Sequence, residues 1–292
     1  MTLYSGLNLF FIKLFTMLVP RVLHPPCALV TGGLFYLLLT EQRRGIRHNI
    51  RVITGKSRVE RLVFATFYKY ARNWTDVLLM MRVSGPALFA LLIGKREGGE
   101  HLENALARGN GAILVSPHLG NWELGGLGLA DLGYTLNVLT FREEDERVNE
   151  LREEVRSKRG IRFIYVDRND TSPLAIIEAV NALRRNEVLA LLGDRDGSSH
   201  TITVDFFGKP AHIPVGAAYL AMASGAPVLP VFVPLEGGRY STVMEEPIYF
   251  KGGHGEHGEA IREGTDRLLR VFERYIGRYP DQWYNFYDYW GK

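Results

Sequence analysis

The sequence predicts an α/β fold: a central, mostly parallel sheet flanked by helices. Two observations carry that expectation. Apolar runs at 112–116, 135–140, 161–166, 188–193 and 227–233 have the length of buried strands. Between them lie stretches with the apolar spacing of amphipathic helices, and strands that alternate with helices build parallel sheets. A chain of 292 residues can bury a sizeable core and is most simply one large domain.

The elements follow in chain order. Leu3 to Val19 is apolar apart from Asn8, Lys13 and small hydroxyl residues, and Ala28 to Leu39 is a second apolar run. Neither reaches the roughly 20 residues that a clean span needs. No basic region precedes the first run and no small-residue cleavage site ends it, which argues against a cleaved signal peptide. Arg43, Arg44, Arg47 and Arg51 follow, and basic residues beside apolar segments favour anionic lipid and the cytoplasmic side. Residues 1–40 therefore read as a membrane-seating segment, inserted or lying in the interface. The competing reading is a buried helical hairpin. Ser57-x-x-Glu60 looks like a capping box opening a helix whose apolar face runs from Val59 through Phe67 to Leu78. Ser172-Pro173 opens another, with Ile176, Ile177, Val180 and Leu183 expected inward. Pro214 opens a third, which Gly225 ends. Phe206-Phe207-Gly208 fits an irregular excursion or hairpin on the sheet. A C-terminal helix uses Ile261, Leu268, Leu269, Phe272 and Ile276.

Composition narrows the function. Apolar residues make up 46% and charged residues 23%, which excludes a disordered chain and a polytopic membrane protein. The formal net charge of +3 is too small to indicate nucleic acid and suits anionic headgroups or an acidic carrier better. One cysteine, Cys27, excludes an internal disulfide framework and any cysteine-based metal cluster.

The most informative stretch is Ile113-Leu-Val-Ser-Pro-His-Leu-Gly-Asn-Trp-Glu123. A histidine stands just past a strand end, where open α/β sheets place their sites. Histidine takes and returns a proton near neutral pH, and a carboxylate on its second ring nitrogen fixes its tautomer. Glu123 follows His118 by five residues, so the two can meet only if the chain bends at Gly120-Asn121. Asp194, Arg195 and Asp196 end a second apolar run, and a parallel sheet would bring them to the same edge as His118. Arg195 could hold a phosphate and the two aspartates could orient sugar hydroxyls, or the three could form an internal ion pair. Arg156 and Arg159 lie on a basic helix face, either solvated or placed for a donor phosphate. Phe206 and Phe207 could wall an acyl groove or fill ordinary core. The aromatics from Trp283 to Trp290 suit a core lid or a membrane interface.

His-x4-Glu after a strand resembles the signature of the glycerolipid-type acyltransferases. The fuller string Ser116-Pro-His-Leu-Gly-Asn-Trp-Glu123 is closer to the lipid A biosynthesis (lauroyl/myristoyl) acyltransferase family, which also contains the mycobacterial phosphatidylinositol-mannoside acyltransferases. Arg47-His-Asn-Ile50, Gly193-Asp-Arg-Asp-Gly197, Asp205-Phe-Phe-Gly208 with Ile213-Pro-Val-Gly216, and Pro280-Asp-Gln-Trp283 ending in Trp290 are similar to further blocks of that family, in its order. The resemblance implies a glycerolipid-acyltransferase-like fold over residues 41–292. It implies acyl transfer from acyl carrier protein or coenzyme A to a hydroxyl of a membrane glycolipid, such as a lipid A precursor, at the cytoplasmic face of the inner membrane. His118 and Glu123 would form the base dyad. The oxyanion that forms on the thioester carbonyl needs donors, which the backbone N–H groups after His118 or the side chain of Asn121 could supply.

No G-x-S-x-G elbow occurs, which disfavours a serine hydrolase. The proposed transfer needs a base and oxyanion donors but no metal or other cofactor. Two readings stand beside it: acylation of a lysophospholipid or another glycolipid, and a catalytically silent lipid-binding membrane protein.

Overall fold

The computed structural model describes residues 23–80, 92–141, 160–166, 173–195, 200–250 and 257–291. Helices α1 (His24–Leu38), α2 (Thr40–Thr54) and α3 (Glu60–Met80) come first. Then follow β1 (Ile93–Glu97), α4 (Gly99–Leu106), β2 (Ala112–Ser116), α5 (Trp122–Asp131), β3 (Leu136–Phe141), β4 (Arg162–Val166), α6 (Leu174–Arg184) and β5 (Val188–Leu192). A hairpin of β6 (Thr201–Phe206) and β7 (Lys209–Pro214) leads to α7 (Gly216–Ser224), β8 (Val228–Phe232), β9 (Leu235–Glu236) and β10 (Arg239–Met244). Helix α8 (His257–Arg278) and a 3₁₀ turn at Pro280–Gln282 close the chain.

The main sheet runs β1-β10-β8-β2-β5-β3-β4, with β9 paired to β10. Strands β8, β2, β5, β3 and β4 are mutually parallel, and β10 joins β8 antiparallel. All five expected strands are therefore present and parallel. Their side chains alternate between two apolar layers, as a pleated strand requires. On β2, Ile113 and Val115 join the layer under α6, α7 and α8, whereas Ala112 and Leu114 join the layer under α4 and α5. A third cluster, Ile46, Ile50, Val59, Val63 and Phe67, binds α2 to α3.

Several local expectations shift. Helix α3 begins at Glu60 rather than at a capped Ser57. The Glu60 carboxylate accepts from Arg47 Nε at 2.5 Å, from Arg47 Nη2 at 3.0 Å and from the Tyr36 hydroxyl, so it staples α2 and α1 to α3 instead of closing a capping box. Helix α6 meets its expected face in part: Leu183 is buried and Val180 packs against the core, but Ile176 and Ile177 are exposed and Ala179 and Ala182 are buried with Leu183. Small alanines let α6 approach the sheet closely, which a face led by two isoleucines would not. Pro214 ends β7 instead of opening a helix, and α7 starts at Gly216. Gly225 does end α7, in the left-handed conformation usual after a helix.

The membrane-seating segment of residues 1–40 falls partly outside the described residues. Its described part, α1, packs through Ala28 and Gly32 against α3, where a Cβ on Gly32 would lie 2.8 Å from the Tyr68 Cα. Its other face exposes Leu29, Val30, Leu34, Leu37 and Leu38. Among the described residues no helix is long and apolar enough to cross a membrane.

Candidate active site

The site is set by sheet register. Ser116 at the end of β2 pairs with Leu192 at the end of β5, and the Gly193 N–H donates to the Ser116 carbonyl at 3.0 Å. Two residues further on each strand stand His118 and Asp194. His118 Nδ1 lies 2.5 Å from Asp194 Oδ1, and the His118 backbone N–H donates to Asp194 Oδ2 at 3.0 Å. A carboxylate only accepts, so the proton on that ring sits at Nδ1 and Nε2 is left as the basic nitrogen.

Asp194 is fully buried, and its two oxygens meet four protein donors. Its Oδ2 also accepts from the Trp283 indole at 2.7 Å and from Asn285 Nδ2 at 3.3 Å. Burial opposes its charge. The charge and hydrogen bonds of His118, with Arg195 adding, outweigh burial and hold the carboxyl well below the usual carboxylate range. Asp194 therefore stays ionised and orients the imidazole. The expectation that it would contact sugar hydroxyls does not survive this geometry, because its oxygens are spent on the protein.

The turn after His118 is fastened on every side. Gly120 has φ +66°, and a Cβ there would stand 2.1 Å from the Val233 carbonyl oxygen. Leu119 N–H donates to Pro117, Gly120 N–H to Gln282 and Asn121 N–H to Val233, while Tyr284 N–H donates to the His118 carbonyl. The backbone N–H groups from His118 to Asn121 are thus engaged in the fold. Asn121 is buried, its Oδ1 caps α5 by accepting from Leu124 N–H at 3.1 Å, and it is not on the cavity wall. Behind the turn, Asn73 Nδ2 donates to the Gly120 carbonyl, and the Tyr240 hydroxyl donates to Asp76 at 2.8 Å. The Ser116 hydroxyl donates to the Pro117 carbonyl at 2.9 Å.

His118 opens onto a cavity of about 1240 Å³. Its walls are chiefly apolar, from Leu114, Leu127, Leu136, Val138 and Ile161, with Gly125, Gly126 and Gly128 along α5. Trp122 packs edge-on to the imidazole, with ring centroids 5.3 Å apart. Glu123, in the first turn of α5, lines the same cavity. The carboxylate on Nδ1, however, is Asp194.

Arg195 also lines the cavity, held by Nε to Asn285 Oδ1 at 2.7 Å and by Nη2 to the Tyr284 carbonyl at 2.6 Å. Phe206 and Phe207 lie away from its wall. Phe206 is fully buried among Trp283, Tyr289 and Trp290, and Phe207 takes a positive φ at the hairpin turn. Arg156, Arg159 and Asp196 fall outside the described residues. Among the described residues no group of three metal-ligating side chains occurs.

Trp283 and Asn285 are the site residues that residue-by-residue reading missed. Aromatic density and the block resemblance marked their segment, but not their contact with Asp194. Asn49, in the Arg47–Ile50 block, explains that block too: its amide donates to the Asn285 and Tyr287 carbonyls and accepts from Tyr289 N–H, pinning the segment that holds Asp194.

Residues 4–292 match the family model for bacterial lipid A biosynthesis acyltransferases. A phosphatidylinositol mannoside acyltransferase of Mycobacterium tuberculosis is 28% identical over 229 residues, covering 78% of this chain and 70% of that protein. A phosphatidylinositol mannoside acyltransferase of Mycolicibacterium smegmatis is 26% identical over 251 residues, covering 84% and 78%.

Proposed function

The chain belongs to the bacterial lipid A biosynthesis acyltransferase family and is an acyltransferase; on that premise we propose that it moves a fatty acyl chain from an acyl carrier protein or coenzyme A thioester to a hydroxyl of a membrane glycolipid. The observation that carries this reading is His118 seated on a buried, ionised Asp194 at the wall of a large apolar cavity. The cavity suits an acyl chain, since apolar ligands need apolar walls and few polar groups.

The reaction follows from the tautomer. The acceptor hydroxyl attacks the thioester carbonyl carbon as its proton passes to His118 Nε2. The carbonyl π pair moves onto oxygen, giving a tetrahedral oxyanion, and Asp194 offsets the imidazolium charge. Collapse restores the carbonyl and breaks the C–S bond, and the departing thiolate takes the proton back from Nε2. Ester and thiol result, with no metal or further cofactor required by the proton balance. Glu123 would act beside His118 in the cavity, on the acceptor hydroxyl or on the leaving thiol.

A lipid A precursor is the acceptor that the family description suggests. A phosphatidylinositol mannoside is the second reading, favoured by the names of both relatives. Both are sugar-bearing lipids. The intact His118–Asp194 pair speaks against a silent lipid-binding protein. The exposed apolar face of α1, with Arg43, Arg44 and Arg51 close behind it in sequence, supports seating at the cytoplasmic face of the inner membrane.

Mass spectrometry of total lipids tests the reading, comparing cells that lack the gene with cells complemented by the wild type or by His118→Ala. One glycolipid gaining an acyl mass with the wild type alone is the expected result. Lipid profiles that stay identical across all three would refute it.

A further inference from the structure

The geometry points to Arg195 as the donor that stabilises the tetrahedral oxyanion during acyl transfer. This rests on the acyl-transfer reading above and adds a catalytic group to it.

A developing oxyanion in an apolar cavity needs a donor fixed before the reaction begins. The backbone N–H groups of His118, Leu119, Gly120 and Asn121 are all engaged elsewhere in the fold. The Asn121 side chain is not on the cavity wall. Among the described residues the arginines on that wall are Arg96 and Arg195. Arg96 stands on β1, which β10 and β8 separate from β2. Three strand spacings put it roughly 14 Å from the strand that ends at His118. Arg195 directly follows β5, the neighbour of β2, and is the next residue after the aspartate that holds His118.

Its side chain is also immobilised. Asn285 Oδ1 and the Tyr284 carbonyl fix Nε and Nη2, and none of the described residues bonds Nη1. Asn285 bridges the two halves of the site, since its Nδ2 donates to Asp194 while its Oδ1 accepts from Arg195. One amide therefore sets the guanidinium and the base-orienting carboxylate relative to each other. As the acceptor oxygen bonds to the thioester carbon and its proton reaches Nε2, the electron pair displaced onto the carbonyl oxygen meets the free N–H edge of Arg195. That contact is worth most in the tetrahedral state, when oxygen carries full charge, and is lost again when the C–S bond breaks. It should act on kcat rather than on KM.

The rival role for a cationic side chain here is to hold a phosphate of the donor, and truncating the donor separates the two. Thiol release is followed with palmitoyl-coenzyme A and with S-palmitoyl-N-acetylcysteamine, which has no phosphate. A detergent-dispersed total lipid extract serves as acceptor. Arg195→Gln should lose about 10²–10³ in kcat on both donors, with either KM within a few-fold. Arg195→Lys, which keeps the charge but not the fork, should recover part of the loss. Thermal melts check folding, and if the Gln variant fails to fold, the Lys variant's kcat on the phosphate-free donor decides. A loss confined to the coenzyme A donor and to its KM would make Arg195 a phosphate clamp and overturn the inference. Near-wild-type rates on both donors would overturn it as well. Wild-type enzyme releasing no more thiol than His118→Ala would instead defeat the acyl-transfer reading itself.

Discussion

His118 and Asp194 each stand two residues past a register pair, Ser116 on β2 and Leu192 on β5, and this places Nδ1 2.5 Å from Oδ1 across 76 positions of sequence. The carboxylate that seats the imidazole therefore comes from the neighbouring parallel strand. Asp194→Asn should leave Nδ1 without its acceptor and cost about 10²–10⁴ in kcat. Glu123→Gln, which leaves the Nδ1 contact intact, should cost at least about tenfold less than that. Steady-state rates of the two variants on one donor check the order. Equal losses, or a larger loss at Glu123, would return the orienting role to Glu123.

The same carboxylate ties stability to pH. Asp194 ionises well below the usual range in the folded protein, and an unfolded aspartate titrates near 3.9. Between those values the unfolded chain binds a proton that the native one does not, so this contribution is complete above about pH 4 and fades as pH falls further. The wild type should lose melting temperature steeply below about pH 4. Asp194→Asn should start lower at neutral pH, with the indole and amide donors imperfectly met, and fall less steeply. Parallel acid slopes for the two proteins would remove Asp194 as the cause.

Gly120 is the hinge on which the turn depends. Its φ of +66°, and a Val233 carbonyl oxygen only 2.1 Å from where a Cβ would stand, leave no room for a side chain. Gly120→Ala should cost about 1–3 kcal/mol of stability, from the left-handed backbone alone. Since His118 is two residues away, activity should fall by more than the folded fraction does. Denaturant melts and rates measured on the same samples separate the two effects.

Much of this was legible in the sequence, for identifiable reasons. The five parallel strands announce themselves because strands buried on both faces are continuous apolar runs. The placement of His118 and Asp194 at one sheet edge followed from parallel topology alone. Which carboxylate meets Nδ1 did not follow, because it depends on strand order: nothing local says that β5, rather than β3, lies beside β2. On α6, Val180 and Leu183 face the core as the periodicity says, but Ile176 and Ile177 do not, because alanine carries too weak an apolar signal to mark Ala179 and Ala182 as the buried positions. Phe206 and Phe207 carried no local sign separating core from cavity wall. Trp283 and Asn285 come from a segment whose conformation is set by contacts with Asn49, more than two hundred residues earlier.

The glycines of α5 give a prediction about acyl length. A ten-residue helix with Gly125, Gly126 and Gly128 forgoes about 0.5–1 kcal/mol of helix propensity at each, relative to alanine. All three line the cavity, so their cost has a spatial return: backbone rather than side chain forms that wall. The positions are not equivalent. A Cβ on Gly125 would meet Val233 Cγ2 at 2.9 Å, whereas one on Gly126 would stand 3.5 Å from Leu136 Cδ2, an ordinary contact. Alanine at 126 should therefore fold at least as well as the wild type, and a leucine there would extend into the cavity. Gly126→Leu should disfavour the longest acyl chain over a shorter one by about tenfold or more in kcat/KM, since each methylene refused or admitted is worth roughly 1–3 kcal/mol. Competition between decanoyl, lauroyl, myristoyl and palmitoyl thioesters reads the shift directly. If Gly126→Leu folds, stays active and keeps the wild-type order of chain lengths, the acyl chain does not pass along α5.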